Sequence, residues 1–145
     1  MRRTLDDSAA ALAVLAALFL AALASRRPDL LLTPQLWAED GLVFYQQVHE
    51  LGFLQTLVVP YAGYLSTFPR LIGGLASLVP LASAPLVFTV AGLITQAMPA
   101  IYLTSARMRE VAPFGVRVLV AILYLGIPNV WRVPGNMTSS QWYLA

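Results

Sequence analysis

The chain has 145 residues, 59% of them hydrophobic and 11% charged, with a formal net charge of +2. Soluble domains carry about 25% charged residues, so this composition and a mean hydropathy of +0.72 exclude an ordinary water-soluble enzyme and make lipid the expected solvent. The nine basic residues are all arginine and form no stripe, which excludes nucleic acid as a partner. Without cysteine there are no disulfides or thiolate metal sites, and one histidine, His49, cannot build a zinc site alone.

The first element is the uncharged run Ser8 to Ser25, SAAALAVLAALFLAALAS. As a helix it spans about 27 Å, close to the hydrocarbon core of a bilayer. Arg2 and Arg3, the apolar run and Ala22-Leu23-Ala24 also fit a cleavable signal peptide. Asp6, Asp7 and the length of the run favour a retained anchor.

A connection of about 58 residues follows, Arg26 to Ser83. Connections that long are usually functional. Within it, residues 40–51 predict a surface helix with Phe44, Val48 and Leu51 as one apolar stripe, ended by Gly52. Pro60-Tyr61-Ala62-Gly63-Tyr64 predicts a turn, with Gly63 free to take a positive φ. Residues 65–79 predict a helix too short and too proline-flanked to cross, resting on one face of the membrane.

Pro85 to Thr104 is a second uncharged run of membrane length, interrupted by Gln96 and Pro99. Gln96 is expected to face another helix rather than lipid. Val116 to Trp131 is a third, with Arg117 at its start and Pro128 set to end or kink it. The expectation is an all-α membrane protein. A single membrane domain, 1–145, has spans at about 8–25, 85–105 and 116–131, and an extracytoplasmic loop, 26–83, with interfacial helices at about 40–51 and 65–79. The arginines of residues 106–117 and of the N-terminus place those segments on the cytoplasmic side.

The stretch PQLWAEDGLVFYQQ sets two adjacent acids, Glu39 and Asp40, just past a membrane-length run. Acids at a helix start gain from the macrodipole and can cap it. The other reading is chemical: a carboxylate at the bilayer surface, facing a cavity, serves as a general base or holds a divalent cation. Successive helical residues diverge by about 100°, so the two acids need not share one role.

The ordered set of an N-terminal span, WAEDG, a surface helix, VVPYAGYLSTFPRL and the closing NMTSSQWYLA resembles bacterial multi-span glycosyltransferases of the GT-C class, over most of residues 30 to 145. The resemblance implies sugar transfer from a polyprenyl-phosphate donor at the outer face of the bacterial inner membrane. It implies Asp40 as the catalytic base with Glu39 second, and either as ligand to Mg or Mn. Arg70 and Arg132 become candidates for the lipid phosphate, since a guanidinium matches phosphate oxygens in a fork; snorkelling to the interface explains them equally. Tyr61 and Tyr64 stack on a sugar or belong to the interfacial belt. Asn136 and Trp142 line the acceptor side or pack. His49 reads as a solvated interface residue. Asn136-Met137-Thr138 also matches a glycosylation sequon.

Members of that class have many more spans. The chain is therefore expected to be the N-terminal part of a larger protein, completed by further helices or by a partner subunit. The competing reading is a non-catalytic membrane subunit or transporter fragment, which predicts contact with a partner through Gly73, Gly74 and Gln96.

Overall fold

A computed structural model of the chain describes residues 8–127, 135–138 and 140. These residues are mostly helical and contain no strand. The elements are α1 (Ala9–Arg26), α2 (Asp29–Leu32), a π-helical segment (Asp40–Tyr45), α3 (Gln46–Leu51), α4 (Phe53–Thr56), α5 (Thr67–Ala76), α6 (Ala84–Thr104), a 3₁₀ turn (Ala106–Met108) and α7 (Phe114–Gly126). Two of them, α1 and α6, are long and apolar enough to cross a membrane.

Helix α1 forms where the uncharged run predicts it. The Ser8 hydroxyl accepts from the Ala11 N–H at its start. Helix α6 begins with proline in its first turn, where the missing N–H is no loss. The three long helices pack around Phe19, Leu23, Leu93, Ala97, Ala100, Ala121 and Leu125. Alanines on α6 and α7 let the backbones approach closely.

The bundle ends are tied by arginines. Arg26, at the end of α1, donates to the Leu125 carbonyl at 2.7 Å, so α1 and α7 finish at the same level. Arg117 is buried at the opposite end and donates to the Ser105 and Ala112 carbonyls at 2.7 and 3.0 Å. It thereby covers carbonyls left open where α6 stops. Gln96 faces protein, as expected. Near the Pro99 interruption, Tyr124 donates its hydroxyl to the Gln96 carbonyl at 3.0 Å. Tyr124→Phe should cost about 1 kcal/mol of unfolding free energy, measured in detergent, with the helical content unchanged.

Helix α7 covers 13 residues, Phe114–Gly126, and is about 20 Å long; residues 128–131 of the third run lie outside those described. Two sequence expectations are corrected. The 40–51 helix is not a continuous α-helix. Its first six residues are π-helical, and this wider turn puts Asp40, Phe44 and Val48 on one buried face. Leu51 falls off the stripe and is 40% exposed. Finally, Gly73 and Gly74 are used inside the chain. A Cβ on Gly73 would lie 2.4 Å from the Phe44 carbonyl oxygen, and one on Gly74 would lie 2.3 Å from the Phe53 ring. These glycines let α5 lie directly on the π-helical segment and on α4.

The turn at residues 61–64 forms as expected. Ala62 and Gly63 both have positive φ, and Tyr61 and Tyr64 exchange backbone hydrogen bonds of 2.9 and 3.2 Å, the geometry of a type I′ turn. Gly52, with φ of +84°, ends α3.

Candidate functional site

Local backbone geometry delivers the two acids in different directions. Ala38 takes a positive φ of 49°, a conformation that costs a non-glycine residue about 1–3 kcal/mol. The Asp40 N–H donates to the Trp37 carbonyl at 3.0 Å, closing the turn that starts the π-helical segment. Glu39 is left half-buried, and the Tyr61 hydroxyl donates to its Oε1 at 3.4 Å. Asp40 turns inward and is 1% exposed.

Asp40 does not cap its own helix. Its Oδ2 accepts from the Met137 N–H at 3.0 Å. Its Oδ1 accepts from the Thr138 N–H at 2.9 Å and the Thr138 hydroxyl at 3.0 Å. Burial pushes the carboxyl up to about 6, against the three hydrogen bonds that favour the ionised form, and the Glu39 charge adds a smaller push.

Residues 135–138 reach Asp40 by lying on α6. Gly92 meets Gly135 there: a Cβ on Gly92 would sit 2.3 Å from the Gly135 carbonyl carbon and oxygen. Met137 is fully buried among Phe44, Ile72, Ala84 and Phe88. Gly92→Ala forces backbone against backbone and should cost about 1–3 kcal/mol. Gly115→Ala meets nothing within 4 Å and should be neutral or slightly stabilising. Thermal unfolding of the two variants in one detergent checks the contrast.

Asp40 lines a partly polar cavity of about 100 Å³ at this end of the bundle, with Gln35, Trp37, Phe88, Thr89, Gly135 and Asn136. Arg27 and Asp29 complete its wall through an exposed bidentate pair of 2.9 and 2.7 Å. That pair lowers Asp29 below, and raises Arg27 above, their ordinary values. At about 30 Å³ for each water, the cavity has room for about three, or for one hydroxyl-bearing fragment of a larger molecule.

Arg70 lies elsewhere. It is fully buried, donates from Nη1 to Gln47 Oε1 at 2.7 Å and stands 5.8 Å over the Phe44 ring. Its Nε and Nη2 have no partner among the described residues. Burial lowers its pKa, although a guanidinium stays charged at neutral pH. Tyr61 packs edge-on against Phe44, with ring centroids 6.3 Å apart, and its own pKa is raised by burial and then by Glu39. Tyr64 is exposed, and His49 is exposed against Tyr45.

The structure therefore brings Asp40 and Asn136 together, pairs Glu39 with Tyr61, and sets Arg70 apart with Gln47 and Phe44. Arg132 and Trp142 lie outside the described residues. Among those described, no group of three or more acidic or histidine side chains could hold a metal ion. Asp40 faces the 137–138 amides and Glu39 faces Tyr61, so the two acids have different partners.

Sequence reasoning missed Gln35, Thr89, Gln47 and Thr138. Gln35 and Gln47 stand inside the quoted acidic stretch, and Thr138 inside the sequon, yet a polar residue in a loop announces no partner. Thr89 had no signal beyond being a hydroxyl near the end of a span. No family model, curated protein or solved structure matches the chain.

Proposed function

We propose that the chain forms part of an integral-membrane glycosyltransferase that uses a polyprenyl-phosphate-linked sugar at the outer face of the bacterial plasma membrane. The observation that carries this reading is the buried Asp40 carboxylate on the wall of a partly polar cavity, at the end of an otherwise apolar helix bundle. A carboxylate has about four acceptor sites. Met137 and Thr138 occupy three, which leaves one for a hydroxyl in the cavity.

In this reading the acceptor hydroxyl donates its proton to Asp40 as its oxygen bonds to the anomeric carbon. The bond from that carbon to the donor's phosphate oxygen breaks, and the phosphate leaves with the electron pair. A carboxyl that ionises near pH 6 is a base at neutral pH and strong enough to help. Trp37, 48% exposed at the same cavity, offers an apolar face to a sugar ring.

Membrane residence is supported by the outward faces of the long helices. Val14 and Leu18 on α1, Ile94 and Met98 on α6 and Leu119 and Leu123 on α7 are all exposed. Such a surface suits lipid and not water. With the arginine-bearing 105–117 end in the cytoplasm, Asp40 faces outward.

The test is transfer of a radiolabelled sugar from a polyprenyl-phosphate donor by the protein in its native membrane, with and without Asp40→Asn. Transfer at the parent rate in the variant overturns the proposal.

A further inference from the structure

The contacts of Asp40 join parts of the chain that are 97 and 98 residues apart. Three donors of one short segment end on one carboxylate: two successive backbone N–H groups and the hydroxyl of the second residue. The segment is tight beyond them, with the Ser140 N–H bonded to the Met137 carbonyl at 2.9 Å. Gly135 and Asn136, its first two residues, are both buried and both line the cavity. Met137 in the Phe44–Phe88 cluster and Gly135 against Gly92 also hold it, and neither of these two contacts fixes where the amides point.

We infer that Asp40 is a positioning residue: its carboxylate latches residues 135–138 onto the acidic loop and so builds the Gly135–Asn136 wall of the cavity. The inference does not depend on the cavity transferring sugar, and the carboxylate keeps one acceptor site for whatever enters. Removing it strands three donors, of which the Met137 N–H is buried, and a charged acceptor is the strongest partner they can have. An amide at position 40 does not restore the latch. It offers one oxygen, and turns an NH₂ group toward an N–H.

The chain has no cysteine, so single introduced thiols report cleanly. Ser140→Cys is the reporter of the latch, because Ser140 is 1% exposed. Thr56→Cys, on fully buried Thr56 of α4, reports the rest of the same end of the molecule. Both should react slowly with a maleimide in the parent chain. Adding Asp40→Ala should speed Ser140→Cys labelling about tenfold or more and leave Thr56→Cys slow. Thr138→Val, which removes one of the three bonds, should give a smaller acceleration, and Thr138→Ser should restore the parent rate.

Ser140→Cys that stays slow with Asp40→Ala overturns the latch, as does fast labelling in the parent. Acceleration of both thiols together also overturns it, since Asp40 would then support the whole fold rather than this segment. If Asp40→Ala does not accumulate, Thr138→Val decides: an unchanged Ser140→Cys rate overturns the inference. Sugar transfer at the parent rate with Asp40→Asn would condemn only the catalytic reading and would leave the Ser140→Cys labelling to decide the latch, so the two proposals fail separately.

Discussion

Asp40→Asn in the membrane-embedded protein should lower kcat for sugar transfer by about two to four orders of magnitude, the usual contribution of a positioned general base. The parent rate should rise with pH through about 6 and level off above, because Asp40 accepts a proton only when ionised. Glu39→Gln should move that midpoint to lower pH, since the Glu39 charge helps to hold the Asp40 proton. The Ser140→Cys label separates two causes of lost activity. A loss with the thiol still protected is a loss of chemistry, and a loss with the thiol exposed is a loss of the cavity wall. Activity that survives Asp40→Asn but not Glu39→Gln would transfer the role of base to the half-buried acid beside Tyr61.

Stability should fall as pH rises from about 4 to 6, and Asp40→Asn should abolish most of that fall. The sign follows from proton binding. Burial raises the folded carboxyl from its ordinary 3.8 to about 6, so between those values the folded chain holds a proton that the unfolded chain has released. Asp40 therefore stabilises the fold fully below the lower value, and the advantage is lost as pH passes the higher one. The gap corresponds to about 3 kcal/mol for a group only 1% exposed. Asp29 has the opposite sign, because Arg27 lowers its pKa, but that pair is exposed and screened. The measurement is the unfolding midpoint in one detergent from pH 4 to 8, read as parent minus variant. A difference independent of pH would mean that desolvation does not dominate at this carboxylate.

Features set by near neighbours in the chain were legible before any coordinates. The 8–25 and 85–104 runs form helices because nothing in them competes with the 3.6-residue repeat, and α1 and α6 differ from those bounds by one residue at most. Gly52 ends α3 and the Pro60–Tyr64 stretch makes a tight turn because positive φ is a property of single residues. The partial failure at 40–51 has the same root. A regular α-helical count cannot reveal a π-turn that the packing of Gly73 on the Phe44 carbonyl accommodates, and the stripe drawn through Leu51 was wrong for that reason.

The candidate site was legible only as a short list of residue types. Two adjacent acids past an apolar run single out this stretch, and the 100° between helical neighbours means that the two need not share one role. Residue order carried no sign that Asp40 would meet Met137 and Thr138, that Glu39 would meet Tyr61, or that Arg70 would be buried beside Gln47. By itself the sequence determined an apolar helical chain with a polar, acid-bearing loop at one end, because hydropathy and backbone preference act locally. Only the tertiary structure decided which donors that acid would face, because a contact across 97 residues exists only once α6 has carried Gly92 under Gly135.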